Sequence, residues 1–392
     1  MASLSDWIAL FFVLLVLGRL TSLLPKLVRE LREDLTLDND ISNLGAGHSP
    51  KISVIIPAKD ESKTIEAVAL SILASSYRNI ELILVDDRSQ DDTFDLMFRV
   101  RQQDDRVKVV RINRLEDGWT GKTHALNEAV RHASGDIFIF SDADALFSND
   151  LIDQAVSIFK RRHVDLLSLL PDFTDPGFIE KALYPHMALG ISYFYPFSEV
   201  NDPNNIEAAL ASGCFIMISR KSYNHLGGWE QFKSEITEDI AISKSAKRAG
   251  MSVMVMLAGN RLKTKPFSSL HGLIGFWVRT FYGGLDKNLS KTLTLTANYF
   301  SLTVVLGMFL FYLWSYCMWE PDSTKYYLML TYGATILCIM GAFCMFLIKY
   351  NGRPFYGIYC PLGIVMGAWI AFRVLASILS GKGVTWRGAT YH

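Results

Sequence analysis

Surplus charge of either sign is missing from this chain: 39 Lys and Arg balance 39 Asp and Glu across 392 residues. That excludes the basic field on which nucleic-acid binding depends, so no nucleic-acid partner is expected. No CxxC pair occurs either. The five cysteines (Cys214, Cys317, Cys338, Cys344 and Cys360) stand singly, which argues against a zinc site and against a disulfide framework. Four of them fall in the hydrophobic C-terminal region, and Cys214 reads as a thiol that fills core space. His124, His186, His225 and His271 share no metal-ligand spacing and read as structural or solvated. Internal repeats and low-complexity stretches are also lacking.

Apolar residues are plentiful, at 50% of the chain, which is more than an ordinary soluble domain needs. Residues 7–24 (WIALFFVLLVLGRLTSLL) approach bilayer-spanning length with one charge, Arg19, and no small-residue cleavage site follows them. They are expected to be an anchor. Lys26, Arg29 and Arg32 follow it while no Lys or Arg precedes it, so the positive-inside rule places what comes next in the cytoplasm. Three further apolar runs, roughly 297–317, 326–348 and 356–379, read as membrane helices. The last contains Pro361, Gly363 and Gly367 and is compatible with a re-entrant segment, which leaves the side of the basic tail open. The expected organisation is an anchor at 1–32, a polar linker at 33–50, a catalytic domain at 51–265, an interfacial amphipathic segment at 266–296, and a membrane region with a tail at 297–392. For the segment at 266–285, a buried amphipathic helix is the equal alternative.

Between the anchors, apolar runs alternate with helical stretches. Strands are expected at ISVIIPA from Ile52, IELILVD from Ile80, VKVVRI from Val107, IFIFSD from Ile137 and CFIMIS from Cys214. Helices are expected at 62–76, 91–103, 121–133 and 149–163, the last capped by Ser148 or Asn149. Unbroken apolar strands suit a parallel sheet buried on both faces, hence an α/β sandwich whose ligand lies beyond the carboxyl ends of the strands.

Acidic residues stand at those ends. Asp86 and Asp87 close the second strand, Asp142 and Asp144 the fourth, and Thr237-Glu238-Asp239 opens a later helix. An Asp pair after a strand is equally a turn or a helix cap, and Glu238 and Asp239 are ordinary first-turn residues. Asp142 and Asp144, one residue apart beside a buried strand, repel unless a cation joins them. Oxygen-only ligands suit Mg²⁺ or Mn²⁺, which complete their shells with water and substrate phosphates. Lys122, after Gly118 and Gly121, sits where a helix start and an ammonium can meet phosphate, though a solvated surface lysine fits the same pattern. The P-loop spacing is absent, because Glu116 stands where its first glycine would be.

Taken together, these clusters resemble family 2 glycosyltransferases of GT-A fold over residues 51 to about 285. The resemblance implies a Rossmann-like α/β/α sandwich flanked by transmembrane helices. It implies donor contacts at Pro57, Ala58, Glu61, Asp86 or Asp87, and Asp142, to which the loop reading adds Lys122; it also implies a metal at Asp144 with Asp142, and a base at Asp239 beside Glu238. The segments GWTGKTHALNEA and SGCFIMISRKSYNHLGGW and the closing GVTWRG are similar to a branch associated with hopanoid and carotenoid pathways, and more distantly to ceramide glucosyltransferase. That implies a nucleotide-sugar donor, with a UDP-sugar expected, and a lipid or polyisoprenoid acceptor. Gly228, Trp229 and His271 are candidates for acceptor contact, although a buried Trp equally serves the core. The Q-x-x-R-W motif of processive synthases is missing, since no tryptophan follows an arginine. Arg279 is the candidate replacement cation at the diphosphate, with snorkelling to lipid headgroups as its alternative. The expected reaction is therefore non-processive, inverting transfer of one sugar at the cytoplasmic membrane face. A processive polysaccharide synthase and a non-catalytic sugar-nucleotide-binding membrane protein are the competing readings.

Overall fold

Runs of β-branched and leucine side chains bounded by polar turns become strands, as seen in a computed structural model that describes residues 7, 10, 11, 13–16, 18, 36, 37, 49–265, 269–318, 323–351, 353–386 and 389–391. The anchor expected at 7–24 and the linker at 33–50 fall mostly outside the described residues. In chain order the elements begin β1 (Ile52–Ala58), α1 (Ile65–Leu73), β2 (Ile80–Asp87), α2 (Thr93–Gln103), β3 (Val107–Ile112), α3 (Gly121–Val130), β4 (Ile137–Phe140) and β5 (Ala145–Phe147). They continue with α4 (Leu151–Arg161), β6 (Leu166–Leu170), β7 (Asp172–Phe173), α5 (Phe178–Phe194), α6 (Phe197–Val200), β8 (Ile216–Ser219), α7 (Arg220–His225), α8 (Glu238–Arg248), β9 (Val253–Leu257) and β10 (Leu262–Thr264). Last come α9 (Leu270–Gly284), α10 (Leu289–Met318), α11 (Ser323–Asn351), α12 (Cys360–Ser380), β11 (Val384–Trp386) and β12 (Ala389–Tyr391). These divide into an α/β unit, Asp34–Asp175 with Phe197–Pro266, and a helical unit, Met1–Glu33 with Pro176–Pro196 and Phe267–His392.

In the α/β unit the main sheet has the order β3-β2-β1-β4-β8-β6-β9. Ile52 of β1 lies opposite Ile80 of β2 and Ile137 of β4, all parallel, so the carboxyl ends of these three strands share one edge. Successive side chains point to opposite faces. Val54, Ile56, Leu82 and Leu84 enter a core with α1, α2 and α4, whereas Ile55, Ile83, Val85 and Phe138 enter a second core with α3 and α8. Each fully buried aliphatic side chain contributes roughly 1.5–3 kcal/mol. Burial on both faces explains why these strands read as unbroken apolar runs, and the result is the GT-A-like α/β/α sandwich.

Several details differ from expectation. The CFIMIS run begins its strand at Ile216, and β8 runs antiparallel to both β4 and β6, so the sheet is mixed and not uniformly parallel. Two short apolar runs outside the expected strands, LLSLL and VMVML, form β6 and β9, paired in parallel. The N-cap of α4 is Asp150, whose Oδ1 accepts the Ser148 hydroxyl at 2.5 Å; neither Ser148 nor Asn149 is the cap. Leu37 donates its N–H to the Leu257 carbonyl at 3.2 Å, which adds part of the linker to the β9 edge. Residues 176–196, expected within the catalytic domain, cluster with the helical unit.

In the helical unit, Leu289–Met318, Ser323–Ile348 and Pro354–Ser380 are long and apolar enough to cross a membrane, with mean hydropathies of 1.7, 2.0 and 2.0. Leu310, Phe311, Trp314, Leu337, Ile348, Phe372 and Leu379 expose apolar surface on them. Within the run at 356–379 a 3-10 turn ends at Tyr359 and residues 360–379 lie in the single helix α12. Pro361 lies in the first turn of α12, where a missing N–H costs no helical bond. Gly363 and Gly367 are places of close approach: a Cβ at Gly363 would collide with the His186 ring, and one at Gly367 with the Tyr299 ring. Glycine here serves packing. On α9, Leu273, Trp277, Val278, Phe281 and Tyr282 form one buried face at helical spacing.

Candidate active site

Strand ends gather the acidic residues. Ala58 pairs with Asp86 across β1 and β2, and β4 ends at Phe140, two residues before Asp142. Because β8 is antiparallel, with Phe140 opposite Ile216, the residues leading into β8 arrive at the same edge. Gly213 and Cys214 are thereby brought to Asp142. From sequence Gly213 has no assigned role and Cys214 only a place in the core; the direction of β8 is what brings both to Asp142.

Asp86 and Asp87 are both buried. Asp86 accepts the Ser89 N–H at 3.3 Å and lies 3.5 Å from the Arg111 guanidinium, while Asp87 takes two bonds from Arg88, at 2.7 and 3.1 Å. Glu61 follows the end of β1; its N–H donates to Thr93 at 2.8 Å and its carboxylate accepts from Thr64 at 3.2 Å. Pro57 and Ala58 form the last two positions of β1.

Lys122 sits in the first turn of α3, whose N-cap Thr120 accepts the Thr123 N–H. Its ammonium lies 2.6 Å from Asp142 Oδ1 and 2.6 Å from Glu238 Oε1, joining the end of β4 to the start of α8. Burial works against its charge, but Asp142, Glu238 and Asp239 outweigh that and raise its proton affinity. Gly213 makes room for it: a Cβ there would stand 2.6 Å from the Lys122 nitrogen. The Gly213 N–H donates to Asp239 Oδ2 at 2.9 Å, and the Ile240 N–H donates to Asp239 Oδ1 at 2.9 Å. Glu238 is buried and bound to Lys122, whereas Asp239 is only partly covered.

Asp144 Oδ2 accepts the Thr264 hydroxyl at 2.8 Å. Burial first, and then the charge of Asp142, push the proton affinity of Asp144 up, as expected of adjacent carboxylates short of positive charge. Among the described residues no group of three or more His, Cys, Asp or Glu is assembled to hold a metal. The donors present are two carboxylates at one end of a strand, which suits a hard divalent ion that takes its remaining oxygens from water and a diphosphate. Cys214 donates its thiol to Asp142 Oδ2 at 3.6 Å, and burial, then Asp142 and Asp144, raise its pKa well above the ordinary value. It remains a thiol, in keeping with a structural role.

The acceptor candidates Trp229 and Gly228 both have packing or turn roles in the α/β unit. Trp229 is 0% exposed and packs edge-on to Phe140, and the Tyr223 hydroxyl lies against Gly228. Gly228 has φ +68°, so glycine here serves a turn. Arg279, its guanidinium 5.5 Å over the Phe276 ring, and the exposed His271 both lie on α9 of the helical unit. His186 is a core residue of that unit, stacked on Phe343 and bonded to the Cys360 carbonyl at 3.1 Å.

Comparison with known proteins adds an independent line. Residues 53–227 match the family described as Glycosyl transferase family 2. A poly-beta-1,6-N-acetyl-D-glucosamine synthase of Staphylococcus aureus is 27% identical over 267 residues, 65% of this chain and 59% of that protein. A beta-monoglucosyldiacylglycerol synthase of Trichormus variabilis is 25% identical over 201 residues, 50% of this chain and 41% of that protein. The chain thus spans about three fifths or less of the length of these curated relatives. In fold it is similar to a mannosyltransferase of Pyrobaculum calidifontis, solved with GDP-Man and Mn²⁺, with a TM-score of 0.55, 17% identity, and coverage of 96% of this chain and 99% of that one.

Proposed function

Residues 53–227 match Glycosyl transferase family 2, and from that match we propose that the protein moves one sugar from a nucleotide-sugar donor to a hydroxyl of a lipid or polyisoprenoid acceptor at the cytoplasmic membrane face. The observation that carries this reading is the convergence of Asp142, Lys122, Glu238 and Asp239 at the edge where three parallel strands end. Asp239 is the base: held by two backbone N–H groups, it is placed to take the proton of the attacking hydroxyl. Direct attack assisted by Asp239, with no covalent intermediate on a carboxylate, would give inversion. Lys122 faces the departing diphosphate, and Asp86, Asp87 and Glu61 line the donor side.

Asp144 and Asp142 are the residues that would hold Mg²⁺ or Mn²⁺. When bound, such an ion supplies charge compensation at the departing diphosphate. The mannosyltransferase solved with GDP-Man and Mn²⁺ and the donors present here both support this. The three apolar helices and the glucosyldiacylglycerol synthase relative support a lipid acceptor. The donor role of Arg279 and the acceptor role of His271 rest on the sequence alone.

Mass spectrometry of lipid extracts from cells with and without the gene tests the acceptor. A one-hexose shift on one lipid class is expected, and unchanged lipids contradict the assignment. The poly-N-acetylglucosamine synthase relative favours a second reading, processive synthesis. A ladder of products in place of a single addition would establish it.

A further inference from the structure

Lys122 is doing something that its expected role as a phosphate ligand does not require. Its ammonium holds Asp142 Oδ1 at 2.6 Å while the Cys214 thiol holds Asp142 Oδ2, so the protein's own donors engage both oxygens of this carboxylate. A second contact at 2.6 Å, to the buried Glu238, fixes the ammonium from the other side. The bare Cα of Gly213 completes the seat. One positive charge thus stands among Asp142, Glu238, Asp239 and, next to Asp142, Asp144.

An ammonium and a divalent cation on one carboxylate repel at contact. The ammonium on Oδ1 therefore opposes metal at Asp142, and its departure favours coordination there. A diphosphate gives it somewhere to go.

We propose that Lys122 is a built-in counter-ion that keeps Asp142 from binding metal until a nucleotide diphosphate arrives and draws the ammonium away. Metal and nucleotide then bind as a coupled pair, and each raises the affinity for the other by the same factor. Free metal alone meets a site whose negative charge is already partly neutralised. The inference rests on the glycosyltransferase reading of the same residues and adds to it an order of binding.

Mn²⁺ binding to the full chain in detergent, followed by electron paramagnetic resonance with and without UDP, and in parallel with GDP, tests this directly. In the parent protein the nucleotide is expected to tighten Mn²⁺ binding about tenfold or more, within the usual range of coupling. Lys122→Gln is expected to bind Mn²⁺ alone about tenfold more tightly than the parent, with a smaller gain from nucleotide. Lys122→Arg, which keeps the charge, should retain the parent's weak binding of Mn²⁺ alone. If Lys122→Gln binds Mn²⁺ alone no better than the parent, or Lys122→Arg binds it as tightly as the Gln variant, the proposal is overturned. Should the Gln variant fail to fold, the parent decides: equal Mn²⁺ affinity with and without nucleotide also overturns it. A parent that binds nucleotide and metal without coupling leaves the glycosyltransferase reading standing. A parent that binds neither removes both.

Discussion

Replacing Gly213 by alanine is the smallest perturbation that reaches the centre of the site. The added Cβ would stand 2.6 Å from the Lys122 nitrogen, and 3.1 and 3.4 Å from the two oxygens of Asp142. Ordinary contact lies at about 3.5–4.0 Å, so the ammonium must retreat by about an ångström. Its 2.6 Å bond to Asp142 then stretches beyond hydrogen-bond range. A hydrogen bond to a charged group is worth roughly 1.5–3 kcal/mol. Much of that returns through water, since both side chains are 33% exposed and the clash falls on the end of a flexible chain. The expected loss of stability is therefore only about 1 kcal/mol. Activity has no such compensation, because a misplaced ammonium no longer meets the diphosphate: a fall of about ten- to a hundredfold is expected at roughly 1.4 kcal/mol per decade. Thermal melting and initial rates of sugar release with Mn²⁺ separate the two effects. Parental rates in Gly213→Ala would refute the close approach of Gly213, Lys122 and Asp142 as a functional requirement.

Three other outcomes follow from the same geometry. Asp239→Asn keeps the shape but removes the base, and its amide oxygen can accept only one of the two backbone N–H bonds, so turnover should fall about 10²–10⁴-fold with nucleotide affinity unchanged in a binding titration. Glu81 is buried, which raises its pKa, yet bonds from Ser53, Ser134 and Lys108 outweigh burial and hold it down at about 2. Its stabilisation, roughly 3 kcal/mol, is present above the ordinary carboxylate range and lost as pH falls towards 2. Glu81→Gln should accordingly destabilise at neutral pH and flatten the acid limb of a melting-temperature profile. Trp229→Phe should lower stability, as expected of a shrunken core side chain, and leave the acceptor KM unchanged; a raised KM would return Trp229 to the acceptor.

Much of the α/β unit was legible because its strands are buried on both faces. β1 and β3 occupy the residues their apolar runs mark, Ile52–Ala58 and Val107–Ile112. Strand direction was not legible, since a short apolar run such as FIMIS carries no sign of which neighbour it pairs with or which way it runs. That gap hid Gly213 and Cys214, whose places depend on β8 being antiparallel. β6 and β9 are five residues each, too short for periodicity to separate from helix. The acidic clusters could be listed from sequence, but the Lys122–Glu238 contact joins residues far apart in the chain, and only the packing of α3 and α8 on the sheet creates it. The packing role of Gly363 and Gly367 was hidden for a related reason: glycine signals a helix break or a close contact equally, and only the folded chain shows the His186 and Tyr299 rings against them.

Sugar transfer by the purified full chain separates catalysis from binding alone. With Mn²⁺, radiolabelled UDP- and GDP-sugars and a total lipid extract, label is expected in one organic-soluble product carrying a single added sugar, absent with Asp239→Asn. Label that stays on the nucleotide under every donor, or equal transfer by Asp239→Asn and the parent, would contradict sugar transfer through Asp239.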